Sequence, residues 1–329
     1  MNGFDSEFKN LKDFILKITY RIWEECGVER IRDYYGEKAL VKTPTSVSDN
    51  VEDVISSTYK TLQMFPDRQL LGEDVIGSED VPGTFYSSHR ILSSAIHLGN
   101  GFYGSPTGSK VTYRVIADCI CRGNKVIDEW MVRDQSAIVK QIGLDPREFG
   151  QHLSLSLKET GNAVPSTEDY VKRWTGPPDS GPLSGIVQSL VETYRSVWEQ
   201  SELRALETSH NRACQIHVPE GRTIYGRDHL INFLNGYLTS FPKGSFKVHH
   251  WIVDEEEGKN KRIALRWSYS AEHTGFGSFN EPTGAPVVIM AMTHVEMQEG
   301  LVVREYHAID EISLWMQISN HSWCGSLST

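Results

Sequence analysis

Apolar residues at helical spacing open each half of this chain. Side chains that recur three or four positions apart lie on one face of a helix and predict an amphipathic helix. These positions are Leu11, Phe14, Ile15, Ile18 and Ile22 in the first half, and Leu183, Val187, Leu190, Val191, Tyr194 and Val197 in the second. A further helix is predicted in each half through Val54, Ile55, Thr58 and Leu62, and through Leu230, Ile231, Leu234 and Leu238. Each ends before a proline, Pro66 or Pro242.

The pattern changes to strands after each of these prolines. Aromatic and β-branched residues dominate these segments, and Gly123-Asn124 and Glu299-Gly300 provide tight turns between the last two strands of each half. The predicted strands are 111–122 and 125–133 in the first half, and 246–253, 263–271, 287–297 and 301–309 in the second. Helices followed by a curling antiparallel sheet predict an α+β fold.

The same short motifs occur twice at a fixed interval. The pairs are Pro106-Thr107-Gly108 with Pro282-Thr283-Gly284, His97-Leu98-Gly99 with His273-Thr274-Gly275, Phe65-Pro66 with Phe241-Pro242, and Asp134 with Asp310. In every pair the positions differ by 176. The chain therefore contains two copies of one domain. We predict a first domain at 8–150, a partly helical linker at 151–182 and a second domain at 183–318, with a poorly ordered tail after it.

Composition narrows the possible functions. The chain has 329 residues, of which 39% are hydrophobic and 23% charged, and its formal net charge is −10. Two domains of ordinary size account for this length. Nucleic-acid binding needs clustered Lys and Arg, and the sequence has no basic run, so we expect no nucleic-acid partner.

Cysteine and histidine spacing predicts neither a metal site nor a cofactor. The five cysteines include no C-x-x-C pair, and Cys119 and Cys121 alternate along a predicted strand. A metal site assembled from distant histidines, such as His217 with His273, stays open as the alternative. We expect a cytoplasmic protein with no membrane partner, because there is no signal-peptide pattern and no apolar run of the ~20 residues that span a bilayer.

Several motifs of the second copy are those of a known family. They are Ala264-Leu265-Arg266-Trp267-Ser268, Glu272-His273-Thr274-Gly275, Pro282-Thr283-Gly284 and the hairpin segment from Gly300 to Tyr306, closed by Asp310. With them this copy resembles the SnoaL-like polyketide cyclase branch of the nuclear transport factor 2-like superfamily. The first copy resembles it through Arg90, His97, Arg114 and Asp128-Glu129-Trp130.

The resemblance implies two tandem cone-shaped domains, each with N-terminal helices packed on a curved antiparallel sheet. It also implies a pocket for a small-molecule ligand in the mouth of each cone. Members of the family often pair through their sheets. The two copies would then form an intrachain pseudo-dimer, and the alternatives are two independent domains on a flexible linker or a homo-oligomer.

The resemblance also implies the position of an acid–base residue. In the cyclases an aspartate directly follows the tryptophan of the hairpin, whereas this chain has Met131 there in the first copy and His307 in the second. Methionine cannot move a proton, but an imidazole titrates near neutral pH and is the commonest general acid–base. We therefore expect His307 to carry the proton and the first copy to be structural.

Strand geometry predicts the neighbours of His307. With a two-residue turn at Glu299-Gly300, His294 lies opposite Glu305, and these residues share one face with Glu296 and His307. A carboxylate between two histidines can orient one imidazole and raise its pKa. We predict Glu305 and His294 as catalytic partners of His307 in the enolisation or ring closure of a carbonyl substrate. The alternative is a solvated, charge-paired strand surface.

Further residues are predicted to line the two pockets. Arg90 and Arg266 would bind a carboxylate or an enolate, or would pair with Glu24 and Glu199. The complete lining set is Trp23, Arg90, His97, Glu129 and Trp130 in the first copy, and Trp198, His210, His217, Arg266, His273 and Tyr306 in the second. For His97 and His273 a hydrogen bond at a strand end is an equal alternative.

Three functions stay open at this point. The second copy is a cofactor-independent enzyme acting on a small, largely apolar carbonyl compound, or both copies bind a ligand without transforming it. In the third case the pockets are vestigial and the chain is a scaffold. The fold hosts all three kinds of protein, so it does not decide among them.

Overall fold

The computed structural model describes residues 1–161, 164–177, 181–183 and 185–326. It divides into two compact units, a first domain at Met1–Leu144 and a second domain at Asp145–Thr329. Residues 178–180, at the centre of the predicted linker, lie outside the described part of the chain. The predicted limits of 8–150, 151–182 and 183–318 stay predictions.

The first domain packs helices on one sheet. Its helices are α1 (Leu11–Thr19), α2 (Ile31–Tyr34), α3 (Val51–Met64) and α4 (Gln135–Gln141). Its strands are β1 (Tyr35–Lys42), β2 (Val47–Ser48), β3 (Gln69–Val81), β4 (Thr84–Ile96), β5 (Lys110–Arg122) and β6 (Lys125–Arg133). The sheet order is β2-β1-β6-β5-β4-β3, and β1 runs parallel to β6 while the other pairs are antiparallel.

The second domain repeats this arrangement. Its helices are α5 (Pro146–Glu159), α6 (Thr167–Trp174), α7 (Gly185–Gln200), α8 (Leu206–Ser209), α9 (Arg227–Ser240) and α10 (Glu311–Ser326). Its strands are β7 (His210–Val218), β8 (Arg222–Tyr225), β9 (Ser245–Asp254), β10 (Lys261–Glu272), β11 (Pro286–Gln298) and β12 (Leu301–Ile309). The order β8-β7-β12-β11-β10-β9 matches that of the first sheet strand for strand. The predicted pair of tandem α+β domains is confirmed.

Two parts of the chain differ from the sequence prediction. β1 and β7 were not predicted, because a register shift interrupts the alternation of buried and exposed side chains in each. A poorly ordered tail was predicted from about residue 319, but the described part of this segment is helical, and residues 327–329 lie outside the described residues. Residues 311–326 form α10, which packs against α5 so closely that a side chain at Gly150 would meet the Cβ of Trp315 at 2.5 Å.

In each domain the repeated histidine motif forms the same side-chain contact at the end of a strand. Nδ1 of His97 lies 3.3 Å from Oγ1 of Thr107, and Nδ1 of His273 lies 3.1 Å from Oγ1 of Thr283. Position 275, two residues after His273, requires glycine because the backbone there packs closely against α9. A Cβ at Gly275 would lie 1.9 Å from a carbonyl oxygen at the end of α9. Both histidines therefore take the strand-end position that the sequence left open.

One face of each sheet packs on helices, and we call it the inner face. In the second domain it carries Trp267, whose ring lies 5.0 Å from that of Trp198 in α7. In the first domain it carries Phe85, which joins the same cluster of buried residues as Phe14 of α1. The opposite side of each sheet is the outer face.

A β-bulge in each domain decides which side chains lie on the inner face. The register shifts between Glu296 and Met297 in the β11–β12 pair and between Ile120 and Cys121 in the β5–β6 pair. Successive side chains of a strand alternate between faces, so one extra residue exchanges the faces of everything beyond it. The predicted register did not contain this bulge, and the residues placed opposite one another were therefore wrong by one position.

Candidate functional site

A buried carboxylate lies on the inner face of the second domain. Glu305 of β12 accepts a hydrogen bond from the hydroxyl of Tyr194 in α7, and its second oxygen lies 2.9 Å from Nε2 of His210 in β7. Nε2 of His307 lies 3.0 Å from the first oxygen. We call these four residues the Glu305 cluster. Its members come from two strands and a helix, so only the folded domain assembles it.

The cluster is shielded from water, which makes its charges interdependent. Glu305 is fully buried, and His210 and His307 are 1% and 8% exposed. Burial by itself would raise the pKa of the Glu305 carboxyl, but the charge of His307 and then the charge and hydrogen bond of His210 outweigh it and hold that pKa below its ordinary value. Among the described residues the ion-pair partners of Glu305 are these two histidines. The two imidazoles are therefore the groups positioned to balance the buried carboxylate.

His307 has polar and apolar neighbours besides Glu305. Its Nδ1 lies 3.4 Å from Oγ1 of Thr293, and the ring of Phe233 in α9 lies 6.0 Å from the imidazole, centroid to centroid. Its Nε2, although close to Glu305, is not aligned with the carboxylate for a hydrogen bond.

His294, the predicted third catalytic residue, does not belong to the cluster. The bulge pairs it with Tyr306 on the outer face, and it places Thr293 opposite His307. Tyr306 stacks on His217 with ring centroids 4.4 Å apart. The predicted arrangement of a carboxylate between two histidines does occur, but the second histidine is His210.

The two predicted pocket arginines lie on outer faces. Arg266 is fully buried and donates hydrogen bonds to the carbonyl oxygens of Trp174, at 2.6 Å, and of Gly176. Its guanidinium thus meets the partial negative charge at the C-terminus of α6. Arg90 lies 2.9 Å from the carboxylate of Glu73.

Glu24 and Glu199, the suggested alternative partners of these arginines, have an equivalent role in the two domains. Each accepts a hydrogen bond from a backbone N–H at the start of a strand, Leu70 at 3.1 Å and Phe246 at 2.9 Å. The repeated glutamates therefore fix the segment after α1 and the end of α7 to the sheets of their domains.

The predicted tryptophans occupy three different environments. Trp198 is core, with its ring 5.0 Å from those of Trp267 and Tyr269. Trp130 is buried on the outer face, where the ammonium group of Lys42 lies 4.0 Å from its ring. Trp23 packs against the core of the first domain.

The first domain retains the carboxylate and replaces its partners. Glu129 occupies the position of Glu305 and accepts a hydrogen bond of 2.8 Å from the hydroxyl of Tyr35, which stands where the second domain has His210. Met131 stands where the second domain has His307. Burial raises the pKa of Glu129 to about 7, and the hydrogen bond from Tyr35 offsets only part of this effect. Without imidazoles, the same carboxyl therefore keeps its proton up to neutral pH.

Sequence reasoning missed Tyr194 as a site residue and gave His210 only a lining role. A usable signal was present in the repeat. Tyr35 and His210 are 175 residues apart and Glu129 and Glu305 are 176 apart, so a polar pair recurs on otherwise apolar inner-face positions. This polar pair was missed because β1 and β7 were not predicted as strands.

Other features of the second domain lie away from the cluster. A cleft of about 240 Å³ between α5, α10 and the loop 279–283 is lined by residues such as Arg147 and Trp315, and no member of the Glu305 cluster lines it. Within the described residues, no group of three His, Cys, Asp or Glu side chains is arranged to hold a metal ion. No helix of the described chain is long and apolar enough to cross a membrane.

Residues 188–318 match the model of the SnoaL-like polyketide cyclase family. This match falls within the second domain and confirms the resemblance noted from the sequence. A search of curated proteins finds no match.

Similar solved structures each cover about two fifths of this chain. IdmH from Streptomyces antibioticus is 17% identical over 40% of this chain and 98% of its own, with a TM-score of 0.36. TsrD from Streptomyces laurentii is 14% identical over 43% of this chain and 99% of its own, with a TM-score of 0.37. AclR from Streptomyces galilaeus is 20% identical over 40% of this chain and 94% of its own, with a TM-score of 0.36.

Proposed function

We propose that the second domain, which carries the SnoaL-like match, is a cofactor-independent acid–base enzyme of the cyclase or isomerase type. It acts on a small, largely apolar carbonyl compound, with His307 as the proton carrier. The observation that carries this proposal is the Glu305 cluster, a buried carboxylate held between two imidazoles. Such a cluster places a side chain that can transfer a proton beside a buried carboxylate.

The chemistry follows from the charges of the cluster. Neutral His307 takes a proton from the carbon next to a carbonyl group, and the electron pair of that C–H bond forms an enolate. The resulting imidazolium lies 3.0 Å from the Glu305 carboxylate, which stabilises its positive charge. Return of the proton to a different atom completes an isomerisation, and attack of the enolate carbon on a second carbonyl completes a ring closure.

Glu305 and His210 act through His307 in this proposal. Glu305 orients the imidazole, and His210 and Tyr194 hold the carboxylate in place by hydrogen bonds. Phe233, whose ring lies 6.0 Å from the imidazole, offers an apolar contact to a substrate. His294 has no direct role, because it lies on the other face of the sheet.

A scaffold or non-catalytic binding role is the second candidate. It is favoured by the dense apolar inner face of the second domain, where Leu265, Trp267 and Tyr269 are each at most 1% exposed. In that case the Glu305 cluster is a satisfied polar network within the core. The intrachain pseudo-dimer, a homo-oligomer and the cytoplasmic location also stay predictions.

Proton exchange tests the proposal without knowledge of the natural substrate. The probe is 2-tetralone in D₂O, and NMR measures exchange of its protons next to the carbonyl group. Wild-type protein is expected to accelerate exchange over buffer, and His307→Ala is expected to lower the protein-dependent rate by about 10²-fold or more. Met131→Ala, at the equivalent position of the first domain, is the matched control and should leave the rate unchanged.

The outcome separates the two candidates. A wild-type rate equal to that of buffer, or an unchanged rate in folded His307→Ala protein, would count against the enzyme and leave the binding or scaffold role. Circular dichroism and the unfolding midpoint show whether each variant is folded.

A further inference from the structure

The inner faces of the two domains carry different chemistry at equivalent positions. In the second domain these positions hold large, mostly hydrocarbon side chains, Ile263, Leu265, Tyr269, Ile289 and Ile309, all buried. The positions 176 residues earlier in the first domain hold Ser87, His89, Ser93, Tyr113 and Arg133. The strand registers of the two domains agree at these positions, so the comparison is residue for residue. The fold needs only apolar residues there, and the polar set of the first domain calls for another explanation.

Arg68 enters the space that an aromatic ring fills in the second domain. Its counterpart is Gly244, where an added Cβ would lie 2.3 Å from the ring of Tyr269. In the first domain the counterpart of Tyr269 is Ser93, so the ring is absent and a long side chain at position 68 fits. The first domain has Arg68 and Ser93 where the second has Gly244 and Tyr269. This exchange places a guanidinium on the inner face of the first domain.

This guanidinium is buried without a carboxylate. Arg68 is 8% exposed, and among the described residues it forms no ion pair, while its Nε has no hydrogen-bond partner. Glu73, a carboxylate on β3, is instead paired with Arg90 and Arg114 on the outer face. Burying an unbalanced charge costs several kcal/mol of folding free energy. An apolar side chain would fill the same space without this cost.

A second guanidinium, that of Arg133, and the phenol of Tyr113 lie near Arg68. The guanidinium carbon of Arg133 lies 6.0 Å from the ring centre of Tyr113. Burial alone would raise the pKa of Tyr113, but the nearby charges of Arg68 and Arg133 outweigh it and lower that pKa. The charges of Arg68 and Arg133 therefore both act on the phenol at this part of the inner face.

Neutral hydrogen-bonding groups adjoin these charged residues. His89 is 8% exposed, and burial lowers its pKa to about 4, so it is neutral at pH 7. Its Nδ1 is buried without a hydrogen-bond partner in the described structure, and Ser87 and Ser93 are buried on the same face. Ile91 and Val115 lie on the same face between these polar residues. The combination is that of a ligand site, a few polar groups in an apolar wall.

We propose that the inner face of the first domain binds a small organic carboxylate, whose anionic group contacts Arg68 and Arg133 and accepts hydrogen bonds from Tyr113 and Ser93. The rest of the ligand is apolar and packs on Ile91 and Val115. The charge of the ligand supplies the counter-charge that Arg68 lacks. This site is separate from the Glu305 cluster and does not depend on the function proposed for the second domain.

Isothermal titration calorimetry on the full chain tests this proposal with three probes. Benzoate is the carboxylate, benzamide is its neutral analogue and inorganic phosphate is a different anion. We expect benzoate to bind at least tenfold more tightly than benzamide and phosphate. Arg68→Met should weaken benzoate at least tenfold and, because it removes a buried charge, should raise the unfolding midpoint of the ligand-free protein. The control Arg90→Met, on the outer face, should leave the benzoate affinity within twofold.

Several results would contradict the proposed carboxylate site. They are no binding of benzoate, equal binding of benzoate and benzamide, tighter binding of phosphate than of benzoate, or an unchanged benzoate affinity in Arg68→Met. If Arg68→Met does not fold, Tyr113→Phe replaces it, since this change removes one hydroxyl group and little volume. A threefold or greater loss of affinity in Tyr113→Phe supports the site, and an unchanged affinity contradicts it.

Discussion

Replacing the two equivalent glutamates, Glu129 and Glu305, with glutamine is expected to change stability in opposite directions. Both side chains are buried at the same position of their domains, so the steric change is the same. They differ in their partners, Tyr35 for Glu129 and two histidines for Glu305. The contrast therefore isolates the electrostatic part of each environment.

Glu129→Gln should stabilise the first domain at alkaline pH. The pKa of this carboxyl is about 7 in the folded protein against an ordinary value of 4.5, which corresponds to about 3 kcal/mol at about 1.4 kcal/mol per pKa unit. Between pH 4.5 and 7 the folded protein holds a proton that the unfolded chain has lost, so stability falls as the pH rises through this window. Glutamine does not ionise, and the variant should gain up to about 3 kcal/mol at pH 8 and little near pH 4.5.

Glu305→Gln should destabilise the second domain at neutral pH. Removing one member of a buried ion pair costs about 3–5 kcal/mol, and we expect the lower end of this range, about 3 kcal/mol. For a domain of this size that is on the order of 6–12 °C in the unfolding midpoint. The pKa of Glu305 is held below its ordinary value, so its stabilisation is present above about pH 4.5 and is lost as the pH falls through the folded pKa.

Differential scanning calorimetry at pH 5 and pH 8 measures both effects, and hydrogen-exchange mass spectrometry assigns each transition to a domain. Glu296→Gln is the matched control, since this partly exposed carboxylate pairs with Arg304 and should contribute less than about 1 kcal/mol. The reasoning would be refuted if Glu129→Gln and Glu305→Gln changed stability with the same sign at pH 8. A Glu129→Gln effect that did not grow from pH 5 to pH 8 would refute it as well.

Three further substitutions test how the fold is held together. Gly275→Ala would place a Cβ 1.9 Å from the carbonyl oxygen of Thr239 and should destabilise the second domain by at least about 2 kcal/mol in urea unfolding. Gly36→Ala, whose Cβ would have its nearest neighbour at 3.6 Å, should change stability by less than about 1 kcal/mol. Arg266→Met leaves the buried carbonyl of Trp174 without its donor and should cost about 2 kcal/mol, seen as faster hydrogen exchange in residues 167–174. An exchange rate in this segment equal to that of wild type would show that the arginine does not hold α6.

The sequence by itself determined the duplication, the order of most elements and the strand ends. Helical spacing located α3 and α9, and the prolines at 66 and 242 marked where they end. Turn residues located the β5–β6 and β11–β12 hairpins. These features are local, because helix periodicity, turn chemistry and a fixed repeat interval need no knowledge of what lies across the sheet.

The sequence also indicated part of the candidate site. His307 and Glu305 were predicted to share a face, and a carboxylate was predicted between two histidines. The choice of His294 instead of His210 came from the register. A bulge adds a residue to one strand only, and its presence depends on the pairing of both strands, which the alternation within a single strand does not contain.

Only the tertiary structure decided the environments of these groups. The two glutamates have the same place in the repeat, yet the pKa of Glu305 is lowered and that of Glu129 is raised. Burial acts on both, and the difference comes from residues far away in sequence, such as His210 and Tyr35, that the parallel strands β7 and β1 bring to the carboxyl. The charge state of a buried group depends on its nearest neighbours in space, and only the folded chain determines which residues those are.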